Sequence, residues 1–460
     1  MLMIALATGT QAAPEGAPLA LHPDNPHYLL FRDKPTVLVT GTEHYGAVLN
    51  LDFDYTRYLD ELARCGLNLT RTFSGAYMEH SAAFGIAGNT LAPQPGRLIC
   101  PWARNGEDGY AGGGAKFDLH QWDDAYFERL RDFCTNASER GIVVEYVLFC
   151  PFYGDEQWGL SPMNAANNVN GIGNAQREEV YALKHTDLQT AQEAFVRKAV
   201  RELAKFDNIY YEICNEPYFG GVTEEWQRRI ADVIAEAEQR TGVRHLIAKN
   251  IANGSAVVAD PPAPVSILNF HYATPPDAVG ANWGLHLATA DDETGFRGTA
   301  DKTYRSEAWH FMLAGGAIFD HLDYSFSPGY EDGTFEYPDS QPGGGSRALR
   351  EELAVLKRLI ESCDFVRMAP DPDAIADPLP EGVSWQALSE PGEEYVIYVE
   401  GGTGGELTLT LPDGRYRCEW ISTITGTPLA TAQSVTGGAA TLTVPEDQGD
   451  AALKVTRRRQ

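Results

Sequence analysis

From about residue 35 to residue 363, short apolar runs of strand length alternate with longer stretches of helical period. Such alternation predicts a parallel sheet joined by crossover helices. The predicted strands are 36–40, 67–72, 142–149, 209–214, 245–248, 266–271, 285–290 and 317–324, rich in β-branched and aromatic residues. Predicted helices are 55–65, 122–140, 188–206, 223–240, 306–314 and 347–362; in the third, Phe195, Val196, Val200, Leu203 and Ala204 share one face. Eight strands with intervening helices predict a (β/α)8 TIM barrel, α/β in class.

Two long segments, 74–121 and 150–187, follow the second and third strands and would wall the end of the barrel where its chemistry lies. The first holds Gly112-Gly113-Gly114, which matches no phosphate-binding loop and reads as a turn; the second holds Trp158 and an Asn-rich run from Asn164 to Asn170 suited to hydroxyl groups. Near 369–380 the helical period stops and Pro and Asp cluster, so a linker is expected there. Beyond it, five short apolar runs split by Gly or Pro turns predict a small all-β sandwich over 381–460. The barrel then occupies 21–368. Residues 1–20 read as the end of a secretory signal peptide or as a disordered tail, since an apolar Met1 to Ala7 precedes Ala12 and Ala13 with no Lys or Arg before Arg32. A secreted or periplasmic location is expected, with the cytoplasm as the alternative.

Composition narrows the partners. Against 36 Lys and Arg stand 64 Asp and Glu, a formal charge of −28, which repels nucleic-acid phosphates and anionic membrane surfaces. A neutral partner is expected. No run approaches the ~18 apolar residues of a membrane span. The seven cysteines are scattered without metal spacing, so neither a disulfide framework nor a metal or cofactor is expected. Oligomeric state is not legible.

Candidate chemistry starts at Asn215-Glu216-Pro217, where the fourth strand ends and Pro217 stops the ladder. A carboxylate at a strand's C-terminal end sits where barrels react. A second acid, Glu293 in Asp292-Glu293-Thr294-Gly295-Phe296, follows the seventh strand, three βα units later, so the two can face each other across the mouth. Arg71 ends the second strand, His271 and Tyr272 end the sixth, and Glu43, His44 and Tyr45 follow the first. A guanidinium beside one carboxyl keeps it ionised while a less compensated partner stays protonated. With Arg71 beside Glu293 and Glu216 further away, Glu293 becomes the nucleophile and Glu216 the acid. Glu145 and Glu212 are expected to form structural ion pairs, and Glu307 competes weakly with Glu293.

Together, Glu216 in Asn-Glu-Pro, Arg71, the His271/Tyr272 pair and Glu293 resemble the clan A glycoside hydrolases, most closely family 5 and its cellulase-like relatives. Phe117-Asp118-Leu119, as the entry to a helix, and the stretch 304–326 add to the likeness, which covers about residues 20–365. The resemblance implies retaining β-glycoside hydrolysis by double displacement, with Glu293 attacking the anomeric carbon and Glu216 as acid/base. It also implies that Asn215 holds the sugar 2-hydroxyl, Tyr272 hydrogen-bonds the nucleophile and His271 orients the sugar or the acid/base. His44, Tyr146, Trp158 and Tyr324 complete the supporting set. Val144-Glu145-Tyr146-Val147 stands where family 5 carries a His, and Tyr324 or Phe326 replaces a stacking Trp, marking a divergent branch. The 381–460 segment resembles the immunoglobulin-like domain attached to many such barrels. Carbohydrate is the expected partner, with endo action on a neutral glycan first, exo action or transglycosylation second, and non-hydrolytic carbohydrate binding as a reading from another class.

Overall fold

Strand-forming runs and helices assemble as the alternation predicts, in a computed structural model that describes residues 16–376, 382–446 and 449–458. Eight parallel strands form the central sheet: β1 Leu38–Thr42, β2 Leu69–Phe73, β3 Val143–Val147, β4 Ile209–Glu212, β5 Ile247–Asn253, β6 Ile267–His271, β7 Ala288–Thr294 and β8 Ile318–Leu322. The order runs β1-β8-β7-β6-β5-β4-β3-β2. At the remaining seam, between β1 and β2, the Asn68 side chain accepts from Val39 N at 3.0 Å and donates to Val37 O at 2.9 Å. That amide satisfies backbone groups that the ladder leaves over.

Around the strands lie α1 Tyr55–Cys65, α2 Asp124–Glu139, α3 Thr186–Leu203, α4 Glu224–Thr241, α5 Asp301–Leu313 and α6 Arg347–Glu361. Their ends are marked in the sequence: Asp54, Asp123, Thr223 and Ser346 cap first turns with side-chain oxygens. Gly66 and Gly242 close α1 and α4 in the left-handed region.

Antiparallel strands Ala20–Leu21, Leu29–Phe31 and Lys34–Thr36 close the N-terminal end of the barrel, where Arg32 Nε binds Asp207 at 2.7 Å just ahead of β4. The signal-peptide reading of 1–20 falls mostly outside the described residues.

The two long loops are built rather than structureless. Segment 74–121 carries a hairpin of Trp102–Asp108 and Ala115–Trp122, with Gly113 and Gly114 at positive φ near its tip. Phe117-Asp118-Leu119 is therefore on a strand, not at a helix start, and its buried-polar-buried alternation fits that. In segment 150–187, the Asn side chains staple the loop to itself: Asn167 Nδ2 donates to Gly159 O (2.7 Å) and Ser161 O (2.9 Å), and Asn168 Nδ2 to Ile172 O (2.9 Å).

The C-terminal strands β9 Ser384–Glu390, β10 Glu394–Glu400, β11 Glu406–Ile421, β12 Gln433–Thr443 and β13 Asp450–Arg457 form one antiparallel sheet, in which β11 breaks register between Leu411 and Arg415. Trp420, Tyr416, Leu409 and Leu453 lie in its own core. The segment expected as a linker belongs partly to this sheet, because Ala369–Pro370 pairs with Leu388 and Ser389, and Ala374 and Ile375 enter the core; 377–381 lie outside the described residues. The sheet docks on α5. Trp309 stacks on Tyr398 at 5.5 Å, and Arg305 binds Asp450 of β13 at 2.8 and 3.1 Å as well as Glu352 of α6 at 2.8 Å. Among the described residues no helix is long and apolar enough to cross a membrane.

Candidate active site

Strand parity decides which side chains enter the barrel. In β2, β3 and β4, the register pairs Arg71 with Glu145 and Glu145 with Tyr210, and all three face inward with Glu212. Tyr146, one residue on, faces outward instead, its hydroxyl 2.8 Å from that of Tyr126 in α2. It is therefore a helix-packing residue and not part of the pocket. Trp158 is likewise structural: its indole donates to Ala175 O at 3.0 Å and its ring packs on Phe152.

β7 breaks the parity rule. Its pairing with β6 runs Phe270 to Asp291 and then His271 to Glu293, skipping Asp292. Such a bulge re-aims the following side chain. Asp292 and Glu293 consequently both reach the interior, 3.6 and 3.3 Å from Arg71, while Thr294 turns outward to Glu307 of α5. Glu293 thus lies within the strand end, not beyond a strand that stops at 290. Glu307 is occupied behind the sheet by Thr294 and Arg297.

At the mouth is a cavity of about 420 Å³ lined by Glu216, Glu293, Asn215, Tyr272, Tyr45, Tyr153 and His44, with Phe84, Phe219 and Phe296 at the rim. Each rim phenylalanine is more than a third exposed, whereas both glutamates are 7% exposed. Tyr324 sits behind the wall, its ring 6.3 Å from His44 and 6.1 Å from Phe296. Glu293 accepts hydrogen bonds from Tyr272 Oη (2.7 Å), Tyr45 Oη (3.1 Å) and Arg71 Nη1 (3.3 Å). Glu216 accepts from Tyr153 Oη (2.6 Å) and Tyr218 Oη (3.2 Å) and lies 3.2 Å from His271 Nδ1. Asn215 links the two halves, accepting from Arg71 at 2.8 Å and donating to Tyr153 at 2.9 Å. Tyr45, Glu216 and Tyr272 all have positive φ (62°, 34° and 51°), strain that clusters where geometry matters more than local stability.

Electrostatics revise one expectation. Burial raises the Glu216 carboxyl, but hydrogen bonding and charge from His271, with donation from Tyr153 and Tyr218, outweigh it and hold the group below its ordinary value. Glu216 is therefore not left uncompensated. Burial pushes His271 down, yet Glu293, Asp292 and Glu216 together hold it well above the usual imidazole value. Arg71 is fully buried among Glu145, Glu212, Asp292 and Glu293. Burial, with Asp292 and Glu212 nearby, drives the Glu145 carboxyl well upward, against the pull of Arg71 at 3.6 Å. The structural ion pair expected for Glu212 is its 3.0 Å contact with Arg71.

Two acidic groups bring oxygen or nitrogen atoms within 4.8 Å of one another: Glu216, His271 and Glu293, and below them Glu145, Glu212 and Asp292. In the first, tyrosines and Arg71 already donate to the carboxylates, and the second surrounds the Arg71 guanidinium.

No family model matches the chain, and no curated protein does. Solved structures do. A glycoside hydrolase is 14% identical with a TM-score of 0.67, covering 96% of this chain and 98% of its own. A glycoside hydrolase family 5 structure from Bacteroides vulgatus has a TM-score of 0.66 at 14% identity, over 96% of this chain and 93% of that one. A family 5 mannosidase from Rhizomucor miehei gives 0.52 at 10% identity, over 76% and 100%. The fold is that of these glycoside hydrolases. The first two likenesses take in the C-terminal sheet as well as the barrel, given the share of this chain they cover.

Several residues in the site were not assigned from the sequence. Tyr153 and Tyr218 lie in loop segments without a motif. Glu79 forms a buried wall with His44 (3.1 Å), Asn89 (2.6 Å) and Tyr77 (3.0 Å), and nothing in its surrounding sequence signals burial. Asp292 carried a usable signal, a second acid directly before the candidate nucleophile.

Proposed function

We propose that this protein is a retaining β-glycoside hydrolase with Glu293 as nucleophile and Glu216 as acid/base. The observation that carries the reading is the approach of the two carboxyls: an oxygen of each lies within 4.8 Å of the other's. Retaining enzymes hold their carboxyls ~5–5.5 Å apart, whereas inverting enzymes need ~6.5–9.5 Å to admit a water. Three donors on Glu293 suit a carboxylate that attacks carbon, and its neighbours Tyr45, Tyr272 and Arg71 fix the direction of the lone pair. Glu216 then protonates the leaving oxygen and afterwards activates the water that releases the sugar. Asn215 presents its amide between the two and is suited to a hydroxyl on the reacting ring.

Of the two expected modes, the cavity favours the second. At about 420 Å³ it lies toward the lower end of the ~300–1,000 Å³ of small-molecule pockets, and the His44–Glu79–Asn89 wall bounds it. That shape suits a chain end or a short glycoside, with the rim phenylalanines stacking on the leaving group.

A panel of aryl and oligosaccharide β-glycosides, with mannosides among the first because a mannosidase shares the fold, identifies the substrate. Glu293→Ala and Glu216→Ala should both lose turnover by about a thousandfold or more. With azide, Glu293→Ala should yield the α-glycosyl azide and Glu216→Ala the β-azide, while Glu307→Gln stays active. A first-formed α-anomeric product from the unaltered enzyme would sink the retaining assignment.

A further inference from the structure

The site poses a chemical problem: the residue that must donate a proton is ringed by donors. Tyr153, Tyr218 and His271 all point at Glu216, an arrangement that favours its ionised form. The proton for the leaving oxygen must therefore be held nearby.

His271 is the group placed to hold it. Its Nδ1 is 3.2 Å from Glu216 Oε1 and 3.7 Å from Glu293 Oε1, and its Nε2 is 3.0 Å from Asp292 Oδ1. The Nε2 atom also abuts the Asn250 amide, whose Oδ1 has no partner; turning the amide over would place that oxygen on Nε2 and leave the nitrogen a donor there. Asp292 Oδ1 has no hydrogen-bond partner, and its 3.0 Å approach to His271 Nε2 becomes an ion pair when the imidazole is protonated. The other Asp292 oxygen is anchored by Asn269 and lies 3.6 Å from Arg71. Asp292 reaches this position only because of the β7 bulge, which brings it inside beside Glu293.

We propose that Asp292 and His271 are positioning residues that store the catalytic proton, so that Asp292, His271 and Glu216 work as one relay in place of an isolated acid. This inference rests on the glycosidase reading for its catalytic part and on geometry alone for its protonation part. In the first step, a Glu293 oxygen bonds to the anomeric carbon as the bond to the leaving oxygen breaks. The Nδ1 proton passes to Glu216, and Glu216 passes it to that oxygen. His271 is left neutral, its Nε2–H toward Asp292 and Asn250. In the second step, water loses a proton to Glu216, which returns it to Nδ1, while the water oxygen displaces Glu293 from carbon. One water is consumed and the proton count of the protein is restored.

The titratable groups facing His271 are Asp291, Asp292 and Glu293 from β7, with Asp291 raised by burial, and Glu212, also raised by burial, and Glu216 at and just beyond the end of β4; Arg71 of β2 faces it through Asp292. Their balance is negative, which favours imidazolium. The test is nitrogen NMR of the full chain labelled at histidine, with His271→Gln assigning the signal. Both ring nitrogens of His271 should be protonated at neutral pH, and Asp292→Asn, an isosteric change, should lower its titration midpoint by about one pH unit or more. A neutral imidazole at neutral pH in the unaltered protein overturns the proposal, even if Asp292→Asn fails to fold. An unmoved midpoint in a folded Asp292→Asn overturns it equally.

Kinetics then separate relay from scaffold. On two substrates with one sugar, an alkyl glycoside and a dinitrophenyl glycoside, Asp292→Asn should lose about tenfold more kcat/KM on the alkyl one, where protonation is needed. Its alkaline limb should also move to lower pH. Equal losses on both substrates overturn the relay and leave the glycosidase reading standing. If the unaltered protein turns over no glycoside, that reading fails while the NMR result still decides whether His271 holds the proton.

Discussion

Replacing Asp450 by Ala should destabilise the whole chain, although Asp450 lies far along the sequence from the candidate site. Arg305 grips both Asp450 oxygens, at 2.8 and 3.1 Å, and the two side chains are 4% and 0% exposed. At 2.8 Å and an effective dielectric of ~20, the attraction is about 6 kcal/mol before desolvation. Glu352 still neutralises Arg305 in the variant, at 2.8 Å, but Tyr398 and Thr423 lose their acceptor as well. Removing one member of a buried pair typically costs ~3–5 kcal/mol, and the remaining Glu352 contact puts the expectation at the lower end. Urea unfolding followed by tryptophan fluorescence is a suitable assay, because Trp309 stacks on Tyr398 at this junction and reports its opening. The variant should show a lower midpoint, and Asp450→Asn, which keeps an acceptor for Tyr398 and Thr423 and removes only the charge, should lose less. A loss below ~1 kcal/mol, the scale of an exposed ion pair, would refute the argument that this contact is a desolvated bond between sheet and barrel.

Tyr272→Phe and Tyr45→Phe each remove one donor from Glu293 without changing the ring, so kcat should fall by about a hundredfold in either, with folding intact by circular dichroism. Unchanged kcat in both would mean that the hydroxyls do not position Glu293 for catalysis. Burial lowers His321 from 6.5 to about 4, against the pull of Asp323. The folded state thus keeps it neutral while the unfolded chain protonates below the ordinary value. Stability should therefore fall as pH drops from 6.5 to about 4, by up to about 3 kcal/mol in total, and level off below. His321→Gln should flatten that slope in denaturant titrations across the window.

Hydrophobic period made all eight barrel strands legible, because parallel strands buried on both faces read as apolar runs. It failed where charge is buried. The prediction ended the seventh strand at residue 290, since Asp291-Asp292-Glu293-Thr294 reads as a loop, yet these four residues are 7% exposed or less and form the strand's end. Tyr146 is expected in the site because Val143, Val144 and Val147 give no parity signal; pairing with Arg71 settles that Glu145 faces inward instead. The two candidate carboxylates were legible as acids at strand ends. The tyrosines that serve them were not, because Tyr153 and Tyr218 reach the site through loop paths that no local pattern encodes.

The skipped residue in β7 has a consequence for how much function one strand can carry. In a regular ladder, neighbours on a strand face opposite sides, so a strand end offers a barrel mouth one functional group per two residues. Here adjacent Asp292 and Glu293 both face inward, doubling that density at a single address. The length of chain between Ala290 and Thr294 then matters alongside the identity of either acid: a single-residue deletion there would turn Glu293 toward the helices even with Glu216 and Glu293 both kept in the sequence.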